Sequence, residues 1–286
     1  MLRARFLASV LAAGVAPWVR AAPAALRFVY PNVNGLGEAG FGFRALGLAL
    51  QKWGRPFELK MVPDPTNIPR SLRALERGEL SVMDLGSSAA MEQRFLPVHL
   101  PIDRGLSGWR LLVIRADAAA RFADVRRLDE LAQLRAGQGS DWPDTELLRG
   151  AGLPVVTADR LDRLFRLLQA GRFDYLPLGL NEAHGFVRQH QALAPDAVIE
   201  PRLALVYPFA RLFFVRRGDE ERRAAIAQGL GQGFEDGSFQ AMFATDPVAQ
   251  GALARARLAE RLVLQIANPG LSDATRAIPA RYFVKP

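Results

Sequence analysis

Residues 134–182 constrain this chain more than any other stretch. They open with a turn-rich segment, Arg135-Ala136-Gly137-Gln138-Gly139-Ser140-Asp141-Trp142-Pro143-Asp144. A short helical pattern (145–150), a β-branched run (Val155-Val156-Thr157), a strongly amphipathic helix (161–170) and a strand (172–177) follow. The order is strand, loop, helix, strand, helix, strand. This is two βαβ units, and a crossover helix that returns the chain across a sheet makes the strands parallel. In such sheets ligands lie beyond the carboxyl ends of the strands, where helix N-termini direct their free N–H groups. Gly137 to Asp141 occupies that position, so a ligand-holding α/β lobe is expected.

The same grammar appears earlier. A strand at 26–31 ends at Pro31-Asn32 and a glycine-rich loop, 35–42. Phe43, Leu46, Leu50 and Trp53 then recur at helical spacing and stop at Gly54. A second strand at 57–62 precedes Asn67, which can cap a helix carrying Pro69 in its first turn and closed by Gly78. A third strand, 80–85, delivers Gly86-Ser87-Ser88 to its carboxyl end. Leu72-x-x-Leu75-x-x-Gly78 before this strand mirrors Phe165-x-x-Leu168-x-x-Gly171 before Phe173-Asp174-Tyr175. Two similar lobes follow from that pairing. Stretches 100–115 and 203–215 each join a loop to an apolar run and serve as crossings between them. The first lobe is then discontinuous (22–110 and 212–286), with the second, 111–211, inserted. The closing third is mostly helical, broken at Asp236-Gly237-Ser238, and its tail is turn-rich from Asn268-Pro269-Gly270 onwards.

Residues 1–21 are a separate object. Arg3 and Arg5 precede an apolar run at 6–15, and Val19-Arg20-Ala21 offers small residues at −3 and −1 of a cleavage site. A cleaved signal peptide and a periplasmic mature protein are expected. The chain has no cysteine, which excludes disulfides, thiolate chemistry, a thiolate zinc site and a lipid-anchored N-terminal cysteine. Of its 37 basic residues only Lys52, Lys60 and Lys285 are lysine, and the arginines are interspersed with acids despite a formal charge of +8. That pattern lacks the basic run and aromatic interleaving of nucleic-acid binders. His99, His184 and His190 have no metal-ligand spacing, and no nucleophile elbow, Walker loop or complete Gly-x-Gly-x-x-Gly is present. No metal, no cofactor and no enzymatic activity are therefore expected. The different-class alternative is a cleft enzyme using carboxylates near Trp142, such as a dehydratase acting on a small acid.

Three stretches resemble the periplasmic solute-binding proteins of family 3, the polar amino-acid type. They are the helix–Gly–strand pair with Arg94 shortly after it, the run from Arg94 to Val113, and Leu128-Asp129-Glu130-Leu131 through Gly139 with Gly171-Arg172-Phe173-Asp174. Gly137-Gln138-Gly139-x-x-Trp142-Pro143-Asp144-Thr145 is similar to a divergent offshoot of the family. The resemblance implies a type II periplasmic-binding-protein-like α/β fold, two lobes closing on a small molecule by hinge motion. It implies a monomer that serves an inner-membrane ABC permease or, alternatively, a sensor receptor. Arg94 matches the arginine that grips a ligand carboxylate, through two parallel hydrogen bonds from a planar guanidinium. The sequence departs from the pattern where a carboxylate should receive the ligand's ammonium group: the matching place falls near Gly179, and the nearest acid is Glu182.

The candidate ligand residues are thus Tyr30, Ser87, Ser88, Arg94, Arg104, Ser140, Asp141, Trp142 and Glu182. Most have a second role open. Arg94 can be a surface arginine paired with an acid, and Ser87 and Ser88 can cap the helix that reaches it. Asp141 can cap the following helix, Trp142 can anchor the core, Tyr30 can close a sheet edge, and Arg104 can pair with Asp103.

Overall fold

The computed structural model describes residues 24–33, 37–140 and 142–284, so the expected signal peptide and Asp141 lie outside the described residues. Strands β1 (Leu26–Val33) and β2 (Phe57–Thr66) run parallel and are joined by helix α1 (Phe41–Trp53). Its apolar face buries Leu46, Leu50 and Trp53, and the helix stops at Gly54, whose φ of +72° suits a residue without Cβ. Helix α2 (Ile68–Arg77) starts where the Asn67 side chain accepts from the Arg70 N–H, with Pro69 in the first turn. Then come β3 (Val82–Gly86), α3 (Ala89–Arg94) and β4 (Phe95–Val98).

The second lobe is entered at β5 (Trp109–Arg115) and continues through α4 (Leu128–Leu131), β6 (Ala136–Gly139), α5 (Pro143–Gly150) and β7 (Val155–Ala158). Helix α6 (Leu161–Gln169), β8 (Tyr175–Gly179), α7 (Ala183–Gln189) and β9 (Ala197–Val206) complete its inserted part. β10 (Arg211–Arg216) re-enters the first lobe between β3 and β4, antiparallel to both. Helices α8 (Glu220–Glu235), α9 (Ser238–Thr245) and α10 (Pro247–Ala256), strand β11 (Leu262–Gln265) and helix α11 (Asp273–Arg276) follow.

In the second lobe the strand order is β11-β9-β5-β8-β6-β7, with β6 parallel to both β7 and β8 as the βαβ reading requires. One face of this sheet packs Leu111, Val113, Phe165 and Leu168; the other packs Leu112, Ile114, Leu147 and Tyr175. The two crossings, 99–108 and 207–210, lie side by side: the Ile102 N–H donates to the Arg211 carbonyl and the Tyr207 N–H to the Gly108 carbonyl.

Two expectations are corrected. The first is local: Gly137-Gln138-Gly139 is strand, not loop. It pairs with Val156, Thr157 and Ala158 because rings from elsewhere take the space its side chains would fill. A Cβ on Gly139 would lie 2.5 Å from the Trp142 indole, and one on Gly137 2.5 Å from Cε1 of Phe173. The second concerns the lobe boundary, since 212–286 does not stay in the first lobe. Ala249, Ala252 and Ala256 of α10 pack in the second lobe's core, and β11 covers the edge of its sheet by pairing with β9. An open strand edge carries unpaired N–H and C=O groups, which this pairing satisfies. Arg44 of α1 reaches the buried carboxylate of Asp246, tying this segment to the first lobe. The chain then returns: Ser272 and Thr275 donate to Glu92, and Ile278 packs beside Leu75 and Phe214.

Candidate functional site

The carboxyl ends of β1, β3, β6 and β8 and the two crossings bring together two polar clusters, one on each lobe. On the first lobe, the Tyr30 hydroxyl donates to one oxygen of Asp84 and Arg211 Nε donates to the other. Asp84 comes from the middle of β3, and Arg211 opens β10 in register beside Gly86. The Tyr30 hydroxyl and Asp84 pack against the first turn of α1, where a Cβ on Gly42 would lie 2.5 Å from Asp84 Oδ1, so only glycine fits there. Phe43 supports the Tyr30 ring edge-on at 5.7 Å.

On the second lobe, Arg110 of β5 donates to Asp144 Oδ1 at 2.8 Å, and the Tyr207 hydroxyl donates to the same oxygen. The guanidinium carbon lies 5.2 Å from the Tyr207 ring centre and 5.6 Å from that of Phe209. Only 6% of the Arg110 side chain and 9% of the Asp144 side chain is exposed, so neither charge is solvated and each depends on the other. Burial alone would lower the Arg110 pKa, but Asp144, Tyr207 and Glu182 outweigh it and raise it above its ordinary value. Burial drives the Tyr207 hydroxyl well above its ordinary pKa, which keeps it a donor. Arg110 Nε is buried with no hydrogen-bond partner among the described residues.

Phe209 wedges the two clusters apart. Its ring lies against Gly86 at the end of β3 on one side and against Arg110 on the other. Glu182 belongs to both. Its Oε2 is 3.1 Å from where a Cβ on Gly179 would sit, and its negative charge acts on both Arg110 and Arg211. It stands at the N-cap of α7 without capping the helix through its side chain, and forms no ion pair among the described residues. Each arginine thus has its own aspartate, and Glu182 acts on both arginines without a direct ion pair among the described residues.

The residues singled out in the sequence divide into two groups. Tyr30 belongs to the first cluster and Glu182 lies where its charge acts on the arginines of both, whereas Trp142 folds over Gly139 at the end of β6, half-buried, and packs with the core on the sheet face opposite Leu112 and Ile114. Ser140 is exposed, and its N–H donates to the Ala158 carbonyl. Ser87, Ser88 and Arg94 are engaged elsewhere. Ser87 donates to Glu92 at 2.5 Å, Ser88 caps α3 by accepting from Met91, and Arg94 donates to Glu76 of α2 at 2.7 Å. Arg104 does not pair with Asp103, whose carboxylate accepts from the N–H groups of Gly105 and Ser107. Its guanidinium instead lies 5.5 Å from the Phe243 ring centre, where burial without a counter-ion lowers its pKa.

Asp84, Arg110, Tyr207 and Arg211 were missed by the sequence reading, which named Asp144 only as one of the carboxylates near Trp142, although a signal existed. Three of the charged residues interrupt or adjoin an apolar strand run: Val-Met-Asp84-Leu, Trp-Arg110-Leu-Leu-Val-Ile, Arg211-Leu-Phe-Phe-Val. A charge in such a run is buried only with a partner, so an isolated acid and an isolated base in different strands point to one another. No group of three or more His, Asp or Glu among the described residues could hold a metal ion.

No protein-family model matches the chain, and no curated protein matches it in sequence. Solved structures do. A histidine kinase sensor domain similar to periplasmic binding proteins matches with TM-score 0.55 and 17% identity over 77% of this chain and 94% of that one. An amino acid ABC transporter substrate-binding protein from Streptococcus pneumoniae, bound to L-arginine, matches with TM-score 0.55 and 14% identity over 80% and 95%. An ancestral amino-acid-binding protein that is a precursor of cyclohexadienyl dehydratase matches with TM-score 0.54 and 13% identity over 76% and 93%. The chain has the two-lobe fold of the periplasmic binding proteins. Among the described residues, no helix is long and apolar enough to cross a membrane.

Proposed function

We propose that the protein is a periplasmic solute-binding protein, released by a cleaved signal peptide, that captures a small amino-acid-like or carboxylate-bearing molecule between its lobes. The observation that carries this reading is the pair of opposed polar clusters, Tyr30–Asp84–Arg211 and Arg110–Asp144–Tyr207, meeting at Phe209 with Glu182 between them. A solute that touches both walls favours the closed arrangement by its differential affinity, which is what hinge-closing binding requires. Glu182, in no direct ion pair among the described residues, suits an ammonium or guanidinium group on the solute.

The family 3 resemblance and the fold's likeness to amino-acid-binding proteins support delivery to an ABC permease by a monomer. The likeness to a kinase sensor domain supports a second destination for the same closed form, a receptor. The test is a thermal-shift screen of amino acids and organic acids, followed by small-angle scattering with each hit. A binder should raise the melting temperature and make the molecule more compact. Turnover of the hit, read by NMR of the recovered solute, would replace the binding role with catalysis.

A further inference from the structure

The resemblance places the solute's carboxylate on Arg94, but the structure has a better-placed cation. Arg94 is nearly half-exposed, and its Nε and Nη2 both donate to Glu76. Arg110 is the reverse: buried, fixed over two aromatic rings, and using Nη2 on Asp144 while its Nε–H has no acceptor among the described residues. An unmade hydrogen bond at a buried charged donor is costly, so an acceptor delivered by a ligand is held there more strongly than at a solvated arginine. A second group on the same sheet face has the same property. Gly137 and Gly139 of β6 turn toward Phe173 and Trp142, which puts Gln138 on the face carrying Arg110, Leu112 and Ile114. Gln138 is fully buried, and neither its amide oxygen nor its nitrogen has a partner among the described residues. The strand between Gln138 and Arg110 is β8, whose Gly179 pairs in register with Arg110 and adds no side chain, with Pro177 opposite Leu112.

Resting on the solute-binding reading above, we propose that Arg110, in place of Arg94, is the anchor for a free carboxylate on the solute, so that Arg110 sets the specificity of the cleft. A planar, singly charged carboxylate suits a guanidinium edge.

The test is calorimetric titration of the wild-type protein with the twenty L-amino acids and with the carboxamide of each, then with Arg110→Lys and Arg94→Ala. For any acid that binds, its amide should be weaker by about 30-fold, the equivalent of one charge-assisted hydrogen bond. Arg110→Lys keeps a charge opposite Asp144 but loses the guanidinium fork, and should lose a similar factor; Arg94→Ala should stay within about 3-fold. Equal binding of acid and amide, or loss with Arg94→Ala and none with Arg110→Lys, overturns the anchor and leaves solute binding intact. A panel without any binder counts against both. If Arg110→Lys fails to fold, the acid–amide comparison repeated on Arg94→Ala decides: a difference kept there keeps the anchor off Arg94, and a difference lost there overturns the proposal.

Discussion

Two arginine–carboxylate pairs in this molecule are chemically alike and physically opposite. Arg94 and Glu76 sit on adjoining helices with 45% and 44% of their side chains exposed; Arg110 and Asp144 meet with 6% and 9% exposed. Water solvates the first pair whether or not it forms, so its net worth is small. The second pair has lost that solvation, and its members are held by each other, by the Tyr207 hydroxyl and by two aromatic rings. The contrast teaches that how strongly a charge is held depends on its surroundings rather than on its place along the chain.

The largest effect should come from cutting the buried pair. Asp144→Ala leaves Arg110 without its counter-ion and Tyr207 without its acceptor, and should destabilise the protein by about 3–5 kcal/mol in urea titration. A loss below about 1 kcal/mol would mean that water reaches Arg110, and the contrast would collapse. Gly139→Ala comes next. Its Cβ would lie 2.5 Å from the Trp142 indole, so the ring that closes β6 onto α5 must move, at a cost of about 1–3 kcal/mol. A crystal structure of that variant with Trp142 unmoved would show that the wall is softer than its packing implies.

The contrast recurs inside α3, two residues from Arg94. Glu92 is 10% exposed and accepts from Ser87, Ser272 and Thr275, with His99 Nε2 at 3.1 Å. Burial pushes its carboxyl pKa up, but these hydrogen bonds outweigh burial and hold it below the ordinary value. A depressed carboxylate contributes stability that is complete above the unfolded value, about 4.3, and is lost as pH falls through the folded one. Hydrogen exchange at 275–278 should therefore accelerate as pH drops through that window, after correction for the intrinsic rate. Glu92→Gln should flatten the dependence, and an unchanged profile would show that the tail is held by Ile278 packing instead.

Much of the frame was readable in the sequence because it is written locally. Asn67, Pro69 and Gly78 bracket α2, Gly54 ends α1, and the matching Leu75 and Leu168 helices with their glycine stops predict repeated helix–strand units. The cleft was less readable, because its charges meet only after strands far apart in sequence are assembled: Asp84 and Arg211 are 127 residues apart, Asp144 and Tyr207 63. Gly137-Gln138-Gly139 misled for a related reason. Glycine signals a turn when judged by its own chain, but here it marks where Phe173 and Trp142 approach. Similarly, nothing local in α10 and β11 says that the second lobe's sheet has an open edge beside β9 for them to cover.

The smallest effect is the sharpest check on the comparison. Arg94→Ala removes two hydrogen bonds to Glu76 and a guanidinium 5.2 Å from the Phe95 ring centre, contacts that look substantial as a tally. All the charged groups involved remain hydrated after the change, and Glu76 is left as an ordinary surface carboxylate. The expected loss is therefore about 0–1 kcal/mol in urea titration, and smaller still in high salt. Phe95 itself is fully buried in the first lobe's core and does not depend on the cation above it. A loss as large as that of Asp144→Ala would mean that exposure had been the wrong criterion for ranking the two arginines.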